Sequence, residues 1–396
     1  MSDPSLRRER ARRARNAGAF ARRPVPRFLR VTMINIDFDR LHGIGLTDEL
    51  ACRARAAAET ADADTSFSLQ RVTSVHRETV QLHGGERQCS ARVLPRPQTR
   101  LLELRTMLAV GDWVLVAAES HGQQWVHEQV PPVTHIARRD GDGSRHPVVS
   151  NVDRALLVMG LDDDFNLRRL ERYLALAHVS GVEPIVVLTK ADVAAAEPAQ
   201  RDERIDALKR RASASVEVLA VDATSAASAA CFAHVTGRGQ TLVLLGSSGA
   251  GKSTLTNTLI GAGVQDTGAV RVHDSRGMHT TTARSLHLLP GGACVIDTPG
   301  LRTLRPDADE AALAASFGDV EALSAQCRFR DCTHAGEPGC AVQAGVDPDR
   351  LRNFQKLLRE TKRDSMSWVE RREQLSAWKS RGKATRERMK IKRGER

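Results

Sequence analysis

Between residues 66 and about 137, apolar and polar residues form short runs that look like β-strands. Gly, Pro, His and charged residues separate the runs. Several short strands at this spacing predict a small barrel or sandwich. Trp113 opens one of the strands and is predicted to pack in the core rather than to stack on a ligand. The five runs are SFSLQRVTSV, TVQLHG, CSARVLP, DWVLVAAE and QWVHEQV.

From about residue 147 the pattern changes to that of an α/β domain. DRALLVMGL predicts a buried strand, and LRRLERYLALAHVSG has apolar residues at helical spacing and ends at Gly181. EPIVVLTK predicts the next strand, which completes a βαβ unit of a parallel sheet. The pattern recurs at QTLVLLGSSGAGKSTLTNTLIG and again toward ACVIDTPG. After residue 301 the chain is predicted to be helical and charged.

The composition predicts which class of partner the protein binds and in which cell compartment it lies. A length of 396 residues suits two or three domains, and the net charge of +11 favours a polyanion: nucleic acid, or else an anionic membrane surface. No apolar run is long enough to span a bilayer, and the N-terminal arginines precede no apolar signal core. We therefore expect a cytoplasmic protein with reduced cysteines. Because aromatic residues are only 4%, phosphate contacts should dominate nucleic-acid binding over stacking.

GSSGAGKS, residues 246–253, fits the phosphate-binding loop G-x-x-x-x-G-K-[ST], between a predicted strand and a predicted helix. Glycines let backbone N–H groups surround the phosphates, and the helix N-terminus adds partial positive charge. Lys252 is predicted to reach the β- and γ-phosphates, and Ser253 to bind Mg²⁺. The predicted nucleotide contacts in and beside the loop are Gly246, Ser247, Ser248, Gly249, Ala250, Gly251, Lys252, Ser253 and Thr254.

A second motif that could contact the phosphates and their Mg²⁺, Asp-x-x-Gly, follows some forty residues later. Asp297 in CVIDTPGLR ends an apolar strand, where a carboxylate can hold Mg²⁺ through a water, and the Gly300 N–H could contact the γ-phosphate. Between the two motifs lies HTTT, and a threonine in this place commonly completes the Mg²⁺ shell of GTPases. Thr281 or Thr282 is the predicted ligand, with a solvated loop as the alternative.

TKAD, residues 189–192, resembles the guanine-reading motif Asn-Lys-x-Asp, yet it precedes the phosphate loop. Asp192 could accept two hydrogen bonds from guanine, a pair that adenine does not offer, and the Lys190 stem could lie along the base. A circular permutation would preserve such a site in space, because domain termini often lie close together. Thr189 replaces the usual Asn and cannot reproduce both amide contacts. A second base-contacting segment is predicted near Asp222 to Ser225.

CRFRDCTHAGEPGC supplies Cys327, Cys332, His334 and Cys340 within fourteen residues. Three thiolates and an imidazole make a closed tetrahedral site for one structural Zn²⁺ per chain. The alternative is a loop of cysteines that bind no metal.

Residues of about 66–362 resemble the ribosome small-subunit-dependent GTPase A family. The resemblance rests on VGDWVLV, SNVDRALLVMGL, LRRLERYL, GMHTTTARSLHLLPGG, DTPGLR, CRFRDCTHAGEPGCAV and the permuted motif order. It implies an OB-fold barrel, a circularly permuted P-loop GTPase domain and a small α-helical zinc domain. It also implies GTP/GDP and Mg²⁺ as ligands, and slow GTP hydrolysis stimulated by the small ribosomal subunit during late subunit maturation. The implied partners are that subunit and its 16S rRNA, with no membrane and a monomeric chain.

The catalytic water needs an orienting group. Many GTPases place Gln directly after Asp-x-x-Gly, but Leu301 stands there and can neither donate nor accept. His279, just before the threonine run, is the predicted substitute, and the family resemblance supports it; a surface histidine is the alternative. Lys252 is the second predicted catalytic residue.

Met33 could be the true translation start, because a more ordinary sequence begins there.

The predicted organisation has six parts. The parts are a disordered basic arm (1–32), an N-terminal segment (33–65), the OB-fold RNA-binding domain (66–140), the permuted GTPase domain (147–304), the zinc domain (305–365) and a basic tail (366–396).

Two other functions fit the motifs less well. One is a P-loop ATPase with a zinc-stabilised nucleic-acid domain, against which Asp192 argues. The other is an RNA-binding scaffold that uses nucleotide only as structure and has little turnover.

Overall fold

The structure, a computed structural model, describes residues 34–61, 65–118, 122–139, 145–213, 215–261, 284–299, 307 and 310–365. Its strands are β1 (Ile34–Asn35), β2 (Phe67–Val75), β3 (Val80–His83), β4 (Gln88–Val93), β5 (Trp113–Ala118), β6 (Gln124–Gln129), β7 (His135–Arg139), β8 (Arg145–Ser150), β9 (Arg154–Gly160), β10 (Glu183–Thr189), β11 (Glu217–Ala220), β12 (Thr241–Gly246), β13 (Ser285–Leu288) and β14 (Cys294–Asp297).

Helices fill the intervals between these strands and form the C-terminal part. The longest of them before residue 310 is Pro198–Arg211, and the C-terminal helix is Pro348–Ser365. The full set is Phe38–His42, Asp48–Thr60, Pro95–Glu103, Leu167–Val179, Ala191–Ala194, Pro198–Arg211, the 3₁₀ helix Ala226–Phe232, Lys252–Ile260, Glu310–Ala315, Gly318–Ser324, Ala341–Gly345 and Pro348–Ser365.

The predicted barrel is confirmed as a closed five-stranded one. The strands pair in the order β2, β3, β4, β6 and β5, and β5 pairs back onto β2. Five of the six residues of β5 are buried. Because a barrel interior can bury only one face of a strand, the other face must be covered from outside. Val114 and Val116 point into the barrel, whereas Trp113 and Leu115 pack outside it in the cluster that includes the helix Asp48–Thr60. Trp113 is therefore a core residue, as predicted.

The N-terminal segment, to which the sequence pattern assigned no structure, covers the outside of the barrel. Its strand β1 runs parallel to β2, and its helix Asp48–Thr60 buries Leu50, Ala54 and Ala58. The side chain of Thr47 caps this helix by accepting from the Leu50 N–H. The short alanines let the helix lie close to the barrel strands, because they add little volume between the two backbones.

A six-stranded sheet forms the central domain, in the order β11-β10-β9-β12-β14-β13. Strands β9 to β12 and β14 are parallel, and only the edge strand β13 is antiparallel. Both faces of the central strands are covered, so Leu157 and Leu156 belong to different core clusters. This explains why these strands read as continuous apolar runs. The parallel register brings the carboxyl ends of β10, β9 and β12 to one edge.

The described helices from Glu310 to Ser365 pack as a small unit of their own. Phe317 and Phe354 lie at its centre, with ring centroids 5.0 Å apart. The unit rests on the helix Leu167–Val179, which connects β9 to β10 and which we call the crossover helix. The hairpin β7–β8 spans the interval between the predicted barrel and the predicted GTPase domain. The predicted domain boundaries stay predictions.

A buried carboxylate joins the crossover helix to this C-terminal unit. Glu171 is 2% exposed, and its Oε1 accepts from Arg211 and Arg350, each at 3.1 Å. Asn353 donates to its other oxygen. Both oxygens of the buried carboxylate are thus paired, and the contacts from Arg350 and Asn353 connect the crossover helix to the C-terminal unit.

Arg71 is a second buried junction, between the barrel, the N-terminal segment and the parallel sheet. Its guanidinium is fully buried and donates to the carbonyls of Ile44, of Gly111 at 3.4 Å and of Asn151 at 2.8 Å, and to the Thr241 hydroxyl at 2.9 Å. One side chain thus satisfies acceptors from three parts of the chain.

A membrane-spanning helix is not found anywhere in the described ranges.

We predict that Arg71→Leu lowers the free energy of unfolding by at least about 3 kcal/mol, because several buried oxygens lose their donor at once. Chemical denaturation followed by circular dichroism measures the change. Arg87→Leu, at an exposed position in the β3–β4 turn, is the matched control and should change it by less than about 0.5 kcal/mol. Equal effects of the two variants would contradict the junction.

Candidate nucleotide and metal sites

The predicted phosphate loop lies between β12 and the helix Lys252–Ile260. Gly249 and Gly251 have φ values of 82° and 89°, in the left-handed region that glycine adopts without strain. A Cβ on Gly251 would also lie 3.3 Å from the Thr189 hydroxyl, a tight contact that Thr189 would have to relieve by moving slightly. Ser248 is half-buried in the loop, and Thr254 is half-buried in the first turn of the helix.

Lys252 is held inside the loop. Its ammonium donates to the Ser247 carbonyl at 2.7 Å and to the Gly246 carbonyl at 3.2 Å, and the residue is 6% exposed. Burial lowers the pKa of Lys252, while the carboxylates of Asp297 and Asp164 act in the opposite direction. A cation held in a ring of backbone groups at a helix N-terminus is a strong site for phosphate oxygens.

Ser253 and Asp297, the two described residues that are predicted to help hold Mg²⁺, lie close together. Ser253 Oγ is 3.2 Å from the Asp297 carboxylate, which is fully buried at the end of β14. Strands β12 and β14 are hydrogen-bonded neighbours, so the loop after one and the last residue of the other must meet. This pair of oxygen ligands suits a hard divalent cation.

Thr189, the residue that departs from the common motif, links the two halves of the site. It ends β10, is fully buried, and donates its hydroxyl to the Ala250 carbonyl of the phosphate loop at 2.7 Å. The threonine therefore makes a contact between the predicted base-reading segment and the predicted phosphate loop, although it is shorter than asparagine.

Lys190 and Asp192 follow at the same edge of the sheet. Lys190 takes up a left-handed conformation, with φ of 60°, and its ammonium lies 2.6 Å from the Asp162 carboxylate. Asp192 is exposed in the short helix Ala191–Ala194, and the described part of the chain offers its carboxylate no hydrogen bond. The carboxylate is thus accessible to a ligand.

The predicted second base-contacting segment lies beside this helix. The Asp222 carboxylate accepts from the N–H and hydroxyl of Thr224, which lowers the pKa of Asp222 and fixes a turn. Thr258 of the phosphate-loop helix donates to the Ala223 carbonyl at 2.6 Å. The turn is therefore attached directly to the helix that follows the phosphate loop.

Two acidic residues that the motifs did not predict connect the parts of this site. Asp164 accepts from Ser247 Oγ and from Arg169, each at 2.6 Å, and Asp162 pairs with Lys190. The Lys190 side chain lowers the pKa of Asp162 against the opposing effect of burial. The available signal was the run of three aspartates that begins two residues after the last residue of β9, at the edge where parallel strands end.

Four predicted site residues lie outside the described residues: His279, Thr281, Thr282 and Gly300.

The predicted metal ligands form a compact cluster. The ligand atoms of Cys327, Cys332, His334 and Cys340 all lie within 4.8 Å of one another. Cys327 Sγ is 3.9 Å from Cys340 Sγ and 3.7 Å from His334 Nδ1. Ligands around a tetrahedral zinc with ~2.3 Å Zn–S bonds lie about 3.8 Å apart, so the donor set and its spacing fit zinc.

The surrounding loop holds the cluster in shape. His334 has φ of 58°, and its carbonyl accepts from the side-chain amides of Gln343 at 3.1 Å and Gln355 at 2.8 Å. The Val342 N–H is the main cause of the lowered pKa of Cys327, and the thiolate is the form that binds metal. Glu337 accepts from the Thr333 side chain, which lowers the pKa of Glu337 to about 2.

Comparison with known proteins decides the family. The family model described as RsgA GTPase matches residues 131–306. Proteins named small ribosomal subunit biogenesis GTPase RsgA are similar over 295 residues, which is 72% of this chain and 79% of each relative. Identity is 43% in Xanthomonas oryzae pv. oryzae (strain MAFF 311018) and 44% in Xanthomonas campestris pv. campestris (strain B100).

The chain belongs to the RsgA GTPase family.

Two solved structures share the fold of this family member. YjeQ from Thermotoga maritima superposes with a TM-score of 0.55 at 21% identity, over 74% of this chain and 98% of that one. YloQ, described as a circularly permuted GTPase, gives a TM-score of 0.52 at 21% identity, over 76% and 97%. The predicted architecture of a barrel and a circularly permuted GTPase fold, followed by a Cys/His cluster that could hold zinc, is thereby confirmed. Membership identifies the chain as a GTP hydrolase rather than an ATPase.

We predict that Thr189→Val weakens GDP binding by about 5- to 30-fold, because the buried Ala250 carbonyl loses its donor at a cost of about 1 to 2 kcal/mol. Thr189→Ser keeps the hydroxyl and is the matched control, with near-normal affinity expected. Equilibrium titration of a fluorescent GDP analogue measures both. Unchanged affinity in the valine variant would show that this contact does not support the site.

Proposed function

We propose that this chain binds the small ribosomal subunit, hydrolyses GTP during its late maturation, and is stimulated by the subunit. The 2.7 Å hydrogen bond from Thr189 to Ala250 is the observation that carries the nucleotide site, since it joins the base-reading segment to the phosphate loop. The names of the relatives support the choice of partner. A net charge of +11 suits a surface rich in RNA phosphates.

In the proposed site, Asp192 reads guanine. Its exposed carboxylate would accept from the N1–H and the 2-amino group, while the Lys190 stem lies against the base. The ion pair of Lys190 with Asp162 supports this role, because it fixes the direction of the lysine side chain. The turn Asp222–Ser225 would cover the remaining edge of the base.

Residues 246–254 would hold the phosphates through backbone N–H groups, with Lys252 on the β- and γ-phosphates. Ser253 and Thr281 or Thr282 would hold Mg²⁺, with Asp297 acting through a water and the Gly300 N–H contacting the γ-phosphate. Bound Mg²⁺ would neutralise charge on the phosphates. The 3.2 Å separation of Ser253 and Asp297 supports this assignment.

His279 is the proposed group that orients the attacking water, because Leu301 occupies the place where many GTPases carry Gln. Lys252 would stabilise the charge that develops on the phosphates. In this scheme the subunit accelerates hydrolysis by holding His279 against the water.

The cluster of Cys327, Cys332, His334 and Cys340 would hold one structural Zn²⁺, with all four positions closed to substrate. We further propose 16S rRNA as the direct contact on the subunit, a monomeric chain, and a cytoplasmic location where the thiols stay reduced. The barrel and the basic segments 1–32 and 366–396 would add phosphate contacts.

We predict that Asp192→Asn weakens GDP binding by roughly 100-fold, because the amide NH₂ then faces guanine donors and about 3 kcal/mol is lost. The same variant should prefer XDP, since xanthine carries an oxygen where guanine has its 2-amino group. Competition of labelled GDP by GDP and by XDP measures both. Asp163→Asn, at the exposed neighbour of Asp162, is the control and should keep the wild-type preference.

We predict that isolated small subunits raise the GTP turnover of the wild type at least tenfold, and that His279→Ala removes most of this increase while GDP affinity stays within about twofold. Steady-state phosphate release with and without subunits measures turnover. If subunits leave the turnover of the wild type unchanged, the result contradicts the proposed partner. It then favours the alternative of an RNA-binding scaffold with little turnover. Full stimulation of the alanine variant would contradict only the role of His279.

A further inference from the structure

One exposed aromatic ring lies on the loop of residues 327–340, which carries the proposed zinc ligands and which we call the metal-binding loop. Phe329 is 42% exposed, and it is the only exposed Phe, Tyr or Trp within the described ranges. It lies between the ligands Cys327 and Cys332 and between Arg328 and Arg330, both exposed. The Arg328 guanidinium lies 5.5 Å from the centre of the ring. An apolar ring with cationic neighbours is thus presented to solvent.

The backbone around this ring is held at several points. The Cys332 N–H donates to the Phe329 carbonyl at 3.3 Å, and the Arg328 N–H donates to the Gly339 carbonyl at 3.2 Å. Farther along the loop, Glu337 accepts from the backbone N–H groups of Thr333, Ala335 and Gly336. A ring on a fixed loop loses little conformational entropy when it binds, which favours its use in recognition.

A basic stripe runs along the adjoining C-terminal helix. Its members are exposed and lie four, three and four residues apart, which places them on one helix face about 16 Å long. Within the same helix, Gln355 donates to the His334 carbonyl of the metal-binding loop at 2.8 Å, so stripe and loop adjoin. Asp349 lies 3.4 Å from Arg352 and partly offsets its positive charge. The stripe consists of Arg352, Lys356, Arg359 and Arg363.

Resting on the proposed function, we propose that the metal-binding loop and this stripe form one surface for single-stranded RNA. Phe329 stacks on an unpaired base, and the stripe contacts the neighbouring phosphates. The cationic charge complements a phosphate backbone, and a planar ring complements a base face without selecting its sequence. A protein partner fits less well, because the helix face is charged throughout. This surface adds a stacking contact to the phosphate contacts that composition alone favours.

Fluorescein-labelled twelve-nucleotide oligouridylate and isolated small subunits are the two probes, with the full-length protein in its zinc-loaded form. Phe329→Ala should weaken oligonucleotide binding about tenfold, the effect of one lost stacked base. Phe329→Tyr retains the ring and should bind within about twofold of the wild type. Zinc content and melting temperature of each variant show that the loop remains folded.

The stripe is tested by salt dependence. Lys356→Gln with Arg359→Gln should reduce the slope of log affinity against log salt concentration by about 1.4, since each phosphate contact on a single strand contributes about 0.7. Lys209→Gln with Arg210→Gln removes two exposed charges from the helix Pro198–Arg211 and should leave the slope unchanged.

The outcomes separate this surface from the proposed function. If the wild type binds subunits and Phe329→Ala binds both probes equally well, the stacking surface is wrong while the partner stands. If the wild type binds neither probe, both proposals fail. Phe329-dependent binding to phosphatidylglycerol vesicles, with none to oligouridylate, would assign the surface to a membrane and overturn the proposal.

Discussion

The parallel register of β10, β9 and β12 is the constraint on which the proposed nucleotide site depends. It brings the ends of β10 and β12 to one edge of the sheet, where the Thr189 hydroxyl can reach the Ala250 carbonyl. Neighbouring parallel strands meet at the same edge whatever their order along the chain. A chain in which the base-reading segment comes first can therefore build the same crevice as one in which it comes last.

The crossover helix connects this crevice to the C-terminal unit, which carries the Cys/His cluster. Near its start, Arg169 contacts Asp164, whose carboxylate also holds Ser247 of the phosphate loop. One residue earlier, Arg168 donates to Asp349 of the C-terminal helix at 3.0 Å. The same helix carries Glu171 at the buried junction. One helix thus contacts both the loop after β9 and the C-terminal helix that carries the proposed RNA surface.

Much of the fold could be predicted because its signals are local. The short strand-like runs, the Gly-rich loop and the spacing of the cysteines all lie within short windows of sequence, so the barrel, the sheet and the Cys/His cluster followed from them. The helices near the N-terminus were missed, because an alanine-rich helix such as Asp48–Thr60 carries a weak apolar stripe. Arg71 was missed for a different reason: an arginine in an alternating strand reads as exposed, whereas here acceptors from three parts of the chain surround it.

The sequence by itself determined which chemical groups this protein has and which element carries each, since propensity, periodicity and motif spacing act between near neighbours. Only the tertiary structure decided which distant groups share a site. Ser247 and Asp164 are 83 residues apart along the chain, and Arg350 and Glu171 are 179 apart, yet each pair is hydrogen-bonded. Such pairs arise from sheet register and helix packing, which depend on the burial of whole faces rather than on any local pattern.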